Sequence, residues 1–589
     1  MSAQRPSKGA PYHTYVSEGG LELRRRQKRR RRTTIVVLVA LIVIVAAAGA
    51  AVGTGQAQRV WRRFAGSAAT PTAGKTDSAS PGASSPAIRV AILRAPRAVN
   101  VDPPPPIVSA GDGVKVSTFL GDETRRLYGL GPPPKHLDLI WRTSIGSGMT
   151  SPVGKGPNTP WTGMGWTGQP AILRDKGKLY LMAGGFDRNM HKIELGSGRV
   201  VWEYAYDDII KSSPTVIEDP HPADEADRYL VLAGSRRGWP SGFTDPGLAP
   251  YRAVSFGTGK EVWRLPVPLT ASYSRDVDGS GFFLNGRMYS GVESGWFYKL
   301  DPFKTSSSGS YHQPKILAQQ LLLGDPGDAS AHGGNLVLEA SPSLIGNTIY
   351  ISSGAGHVYG MRRSDLKVVW DYRTGSDLDG TPVPTSTGKL LVAVEKQYIP
   401  GHGGALMLDP KKTGSKAVKW FFPTGDRNLA DWLGGIIGSV AVNDTYDPWG
   451  RRPRLAAFTA IDGNLYVVAQ DALADGMVPG PNLDGPYHTP KLIAKFNVGG
   501  GISTPIMVDD TIVCAAYDAI VHLWSVKWHA AKKGDAGALK SPDGGWFTVK
   551  IKETASFSGG GGFESTPVMW KGRVFIGSRD GFLYCLGDR

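Results

Sequence analysis

The sequence predicts an all-β fold built of repeats, an eight-bladed β-propeller over residues 137–589, and three recurring phrases predict it. One runs from a Gly-x-Gly turn through β-branched residues to a tryptophan: Gly196 to Trp202, Gly257 to Trp263, with shorter versions ending at Trp370 and Trp420. A second reads acidic-Gly-x-apolar-Tyr, clearest in Asp580 to Tyr584 and Asp462 to Tyr466. Variants stand at Ala355 to Tyr359, Ser294 to Tyr298 and Asp187 to His191. A third opens each unit with Ser-Pro or Thr-Pro, at Pro214, Pro342, Pro382, Pro505 and Pro567. Self-similarity over tens of residues marks a repeat architecture, and one small sheet cannot bury both faces alone, so copies must stack around an axis.

Residues 341–372 show what one unit is. Ser343 to Ile345 is a short apolar strand, and Gly346-Asn347 forms a tight turn because both residues tolerate positive φ. Thr348 to Ile351, His357 to Met361 and Lys367 to Tyr372 follow as three more strands, rich in β-branched and aromatic residues. The result is a four-stranded antiparallel blade. Openers at Pro170, Pro214, Ser280-Gly281, Pro342, Pro382, Ser439-Val440, Pro505 and Pro567 give eight copies. The last copy ends at Arg589 after its third strand, and His136 to Arg142, tryptophan included, reads as the missing fourth. Such a join closes the ring and removes its open sheet edges.

Together the three phrases resemble the pyrroloquinoline-quinone-type propeller repeat, whose blade signature is Tyr-x-Leu-Asp-x-x-Thr-Gly-x-x-x-Trp. The resemblance covers about three-quarters of the chain. It implies that Trp141, Trp202, Trp263, Trp370 and Trp420 pack between neighbouring blades as core. It also implies two functional branches. Quinoprotein dehydrogenases hold pyrroloquinoline quinone (PQQ) and calcium and oxidise alcohols or sugars; scaffolds, such as the propeller lipoprotein of outer-membrane protein assembly, bind partners without chemistry. Many dehydrogenases of this class carry an adjacent Cys-Cys pair over the quinone. Here the cysteines are Cys514 and Cys585, each inside an apolar strand, which reads as two buried free thiols.

Ahead of the propeller, residues 1–32 form a basic tail, Arg24 to Arg32 holding its densest run. Thr33 to Val52 carries no charge and is long enough to cross a bilayer, so residues 33–53 are expected to be a transmembrane signal-anchor helix. A cleaved signal peptide is the competing reading, with Ala48-Gly49-Ala50 as the cut site. By the positive-inside rule the N-terminus stays in the cytoplasm and the propeller is exported. Residues 54–136, rich in Ala, Ser, Thr and Pro, are expected to act as a linker. Of the net charge of +16, most lies in the first hundred residues, where 17 Lys and Arg face 3 acids. The propeller itself is close to neutral, which argues against a nucleic-acid partner and for contact with anionic lipid heads at the tail.

Loops that enter the innermost strand ring one mouth of a propeller's channel. Three residues before each opener stand Thr167, Lys211, Asp278, Glu339, Asp379, Ile437, Ile502 and Glu564. Asp278, Glu339, Asp379 and Glu564 would make that mouth electronegative, suited to a cation or a basic partner; ordinary solvated turn acids are the plainer alternative. Asp276-Val277-Asp278-Gly279 resembles part of a calcium loop, because alternating oxygens before a Gly bend can wrap a hard cation. The expected function is that of a membrane-tethered, extracytoplasmic binding or scaffolding platform with a protein partner in the cell envelope. The alternative is a quinone- and calcium-dependent dehydrogenase.

Overall fold

The computed structural model describes residues 108–151, 158–165, 168–237, 243–429 and 432–589. The expected tail and membrane span at 1–53 lie outside the described residues, as does Thr167. Among the described residues no helix is long and apolar enough to cross a membrane.

Eight antiparallel blades follow one another along the chain. Blade 4 shows the pattern: Ser343–Ile345, Thr348–Ser352, His357–Arg362 and Val368–Arg373, each paired with the next. Blade 2 runs from Thr215–Glu218 to Glu261–Leu265, blade 3 from Phe282–Leu284 to Tyr311–Leu321, and blade 5 from Val383–Pro384 to Val418–Pro423. Val568–Trp570, Arg573–Gly577 and Phe582–Gly587 make the last blade, and Asp138–Ser144 lies antiparallel on its outer strand with Trp141 opposite Cys585. Both cysteines are free and buried, and burial pushes each thiol up to about 12.

Each recurring phrase has a structural task, and the first and third join neighbouring blades. The blade tryptophans sit on outer strands, and each indole N–H donates to a carbonyl in or just beyond the third strand of the following blade. Trp141 reaches Leu195 at 3.1 Å, Trp202 reaches Phe256 at 2.9 Å, Trp263 reaches Pro302 at 2.9 Å, Trp370 reaches Lys412 at 2.7 Å and Trp420 reaches Gln470 at 3.0 Å. Trp263, Trp370 and Trp420 are buried, while Trp141 and Trp202 are half-buried. Truncating a fully buried ring of this kind to Ala typically costs about 3–5 kcal/mol.

The second phrase is an Asx turn with an aromatic lock. Asp580 accepts from the Phe582 N–H at 3.2 Å and from the Tyr584 hydroxyl at 2.5 Å, and Asp462 accepts from Asn464 and from Tyr466 in the same way. At two blades histidine takes the tyrosine's place: His191 Nε2 lies 3.2 Å from Asp187, and His522 Nε2 lies 2.9 Å from Asp518.

The third phrase builds a girdle around the channel. The Ser280 N–H donates to the Ser341 hydroxyl, Ser341 N–H to Thr381, Thr381 N–H to Ser439, Ser439 N–H to Thr504, and Thr504 N–H to Thr566, at 2.8–3.4 Å. Gln169 N–H donates to Ser213 Oγ, and the Ser280 hydroxyl reaches the Ser213 carbonyl. Thr566 N–H donates to the Gly168 carbonyl, which brings the circuit back to its start. The proline ends the loop, and the hydroxyl before it satisfies a backbone donor on the preceding blade that would otherwise be buried without a partner.

Residues 108–136, assigned from sequence to the linker, are built into the propeller. Gly113–Val116 pairs with the inner edge of blade 1, and Gly129–Leu130 runs parallel to the inner strand of blade 8. Between them the chain crosses the channel. Thr118 meets Thr215 and Gly281, the Glu123 carbonyl accepts from Leu344 N–H, and the Tyr128 hydroxyl accepts from Val442 N–H. Phe119, Leu120, Arg125 and Tyr128 are buried. The Arg125 guanidinium donates to the carbonyls of Pro342, Ser280 and Phe119 at 2.6–2.8 Å, and burial brings it down to about 9. The segment is a plug. Its short strands and Gly/Pro content give it a spacer's composition, which is why the sequence conceals it.

Candidate functional site: an acidic mouth above the plug

The plug lies against residues at and after the blade openers, and the predicted mouth residues precede those openers. The acids therefore stand just ahead of the inner strands, on the strand-entry side of the plug. Residues two past the second strand of a blade join them there: Arg236 after Tyr229–Gly234, Glu293 after Arg287–Gly291, and Arg579 after Arg573–Gly577. Glu395 directly follows the second strand of blade 5, Leu390–Val394.

Blades 2 and 3 form a wall in which charges match. Lys211 is in direct contact with the Asp278 carboxylate and lies 3.5 Å from Glu339. Arg236 Nε donates to Asp276 at 2.9 Å, and the Arg237 N–H to its other oxygen at 3.0 Å. Burial alone would lower Lys211, but Asp278, Glu339 and Glu293 hold it above its ordinary value. Burial likewise opposes ionisation of Asp276, and Arg236, Arg237 and Lys211 overcome it and keep the carboxyl low. Glu293 is 3% exposed, its Oε1 accepts no hydrogen bond, and burial with Asp278 and Glu339 nearby pushes it well up. The expected calcium pair, Asp276 and Asp278, is thus brought together with Glu293, with ligand atoms within 4.8 Å of one another. An ammonium and a guanidinium already stand against it.

Blades 4 and 5 form a wall in which charges do not match. Asp377 is buried, Asp379 and Glu339 nearly so, and Glu395 is buried beside them. Among the described residues no Lys or Arg makes an ion pair with Asp377 or Asp379. Asp377 Oδ2 accepts from Asn335 Nδ2 at 2.5 Å and from Gln397 Nε2 at 3.4 Å. Burial first, and the neighbouring carboxylate second, push Asp377 and Asp379 well above the usual carboxylate range; Glu339 follows for the same reasons.

Glu564, the fourth predicted mouth acid, has its own counterion. Arg579 Nη1 lies 3.0 Å from it, the Tyr517 hydroxyl donates at 3.1 Å, and Arg579 covers the rings of Phe186 and Trp161. Away from the mouth, a cleft of about 450 Å³ between blades 3 and 4 is lined by Arg287, Lys299, Arg362 and Arg363.

No protein-family model matches the chain, and no curated protein matches it in sequence. Solved structures that resemble it are propellers at low identity. BamB from Moraxella catarrhalis is 12% identical over 77% of this chain and 100% of its own, with a TM-score of 0.43. Quinohemoprotein alcohol dehydrogenase from Comamonas testosteroni is 13% identical over 80% of each chain, with a TM-score of 0.41. The computationally designed protein Ika8 is 12% identical over 71% of this chain and 95% of its own, with a TM-score of 0.39. The fold of this chain is established by its own eight blades.

Proposed function

We propose that this protein is a binding platform, tethered to the membrane by residues 33–53 with the propeller outside the cytoplasm, and that its acidic mouth receives a basic segment of an envelope protein. The observation that carries the reading is the acid-rich wall: Glu339, Asp377 and Asp379 gather at one end of a plugged channel, and among the described residues only Glu339 of the three is in an ion pair, with Lys211 at 3.5 Å. Carboxylates crowded in this way repel one another, and an arriving Lys or Arg side chain turns the repulsion into attraction.

The test is binding of a fluorescent Lys-rich peptide to the detergent-solubilised full chain, in chelator. Affinity should fall steeply with added salt, and Glu339→Gln with Asp379→Asn should weaken it about tenfold or more while the unfolding temperature holds. Binding indifferent to both changes would move attention to the outer blade rims. Turnover of an alcohol or sugar with added quinone and calcium would instead support the dehydrogenase. For the topology, protease added to intact spheroplasts should digest the propeller, and full protection would refute the orientation.

A further inference from the structure

We propose that the cleft between blades 3 and 4 binds a phosphate group, carried by a lipid headgroup or by a soluble ester. Four cations line it, Arg287 and Lys299 from blade 3 and Arg362 and Arg363 from blade 4, and its volume of about 450 Å³ suits a small molecule rather than a bare ion. Two of the four are already matched. Arg287 Nη1 lies 3.1 Å from Asp301, and Arg362 Nε donates to Asp365 at 3.0 Å. The other two are not: among the described residues neither Lys299 nor Arg363 is in an ion pair. Lys299 Nζ donates to the Ser364 carbonyl at 2.9 Å, and Arg363 Nη2 donates to Asn347 Oδ1 at 3.2 Å. Arg363 Nε is shut off from solvent and meets no acceptor.

Like charges share this cleft. Burial first, and Arg287 and Arg363 after it, bring Lys299 below its ordinary value, and an anion among them would reverse the repulsion. Tyr289, 2% exposed, also lines the cleft and adds a hydroxyl. A carboxylate presents two oxygens in one plane and suits a single guanidinium fork. A phosphate presents three, and can meet donors that come from two blades at once. The cleft also lies on a particular face. Arg287 closes the turn between the first two strands of blade 3, Asn347 stands in the matching turn of blade 4, and Arg362 and Arg363 lead into the turn after its third strand. In an antiparallel blade these turns lie at the end opposite the acidic mouth. The described chain joins the propeller at that same end: the Ala110 carbonyl accepts from Arg174 at 2.8 Å, and Asp112 accepts from the Gly177 N–H at 3.1 Å, in the matching turn of blade 1. With a tether at residues 33–53, a lipid headgroup is the expected source; that step rests on the tether reading, and the site itself does not.

The test uses the full chain in an uncharged detergent. Inorganic phosphate is titrated by calorimetry, with citrate as the carboxylate control, and binding to mixed micelles is compared with and without phosphatidic acid. Phosphate should bind more tightly than citrate and should weaken with added salt. Lys299→Gln with Arg363→Gln should weaken binding at least about tenfold, while the phosphate-free unfolding temperature stays level or rises because like charges have been removed. Lys419→Gln, at an exposed position on the outer strand of blade 5, should change nothing. Because the basic tail also attracts anionic lipid, only the part of micelle binding that the double substitution removes is assigned to the cleft. Such a part identifies a headgroup as the source, and an effect on inorganic phosphate alone identifies a soluble ester; both keep the site. The proposal is overturned if the double substitution alters neither arm, if Lys419→Gln weakens binding as much, or if citrate binds more tightly than phosphate.

Discussion

Two walls of one mouth are made from the same residue types at the same repeat positions, yet their electrostatics differ in sign. On blades 2 and 3, Lys211 and Arg236 stand against Asp278 and Asp276, and Asp276 is held below its ordinary value. On blades 4 and 5, Asp377 and Asp379 face each other and are pushed towards the protonated form. The difference is made by the neighbouring blade. Blade 2 offers Lys211 and Arg236 at the positions where blade 4 offers Glu339 and Gly354. A repeat position therefore sets where a side chain stands, and its ionisation depends on what the adjacent copy places beside it.

Both walls require a closed ring, so the largest effect should come from opening it. Deleting residues 137–145 removes the outer strand of blade 8 and the Trp141–Leu195 hydrogen bond. We expect a loss of more than about 4 kcal/mol and aggregation through the bared Phe582–Gly587 edge. An unchanged unfolding temperature would show that this strand is dispensable. Next in size, Lys211→Met leaves Asp278 buried without its counterion and should cost about 3–5 kcal/mol in urea unfolding. A cost below about 1 kcal/mol would erase the distinction between the walls.

The third prediction concerns pH. Asp377, Asp379 and Glu339 have folded values raised above their unfolded ones. Their contribution is whole below the ordinary carboxylate range and is lost as pH rises through the raised values. Asp276 is lowered, so its contribution is present at neutral pH and is lost as pH falls through its depressed value. Glu293, though on the matched wall, follows the first set. The unfolding temperature in chelator should therefore decline from pH 5 to pH 8, and Asp377→Asn with Asp379→Asn should flatten that decline. The parent chain is the necessary control, because His357 and His522 slope the same way. Burial opposes their charge, but Asp371 and Asp328, and Asp518 and Glu553, outweigh it and raise both. The smallest effect is expected from Asp379→Asn alone at pH 8, within about 1 kcal/mol of the parent or slightly stabilising. A loss comparable to Lys211→Met would mean that Asp379 has a cationic partner.

The blades were legible because their signals are local and repeated: Gly346-Asn347 can only turn, and Thr348 to Ile351 alternates as a strand should. The mouth was half legible. Counting back from the openers found Asp278, Glu339, Asp379 and also Lys211, their nearest cation. The same count applied past each second strand would have found Arg236, Glu293 and Arg579. Other features have no local signature. That the Ser and Thr hydroxyls of the openers clasp the preceding blade is invisible until Ser341 and Thr381 are neighbours in space. Arg125, fully buried by carbonyls from distant blades, sits in a stretch that reads as solvated spacer.

That stretch changes what the channel can be used for. With Phe119, Leu120, Arg125 and Tyr128 packed across it, the ring is a socket with a floor. A polypeptide cannot be threaded through it. What arrives at the acidic end can insert a side chain or a chain terminus and must withdraw by the way it came.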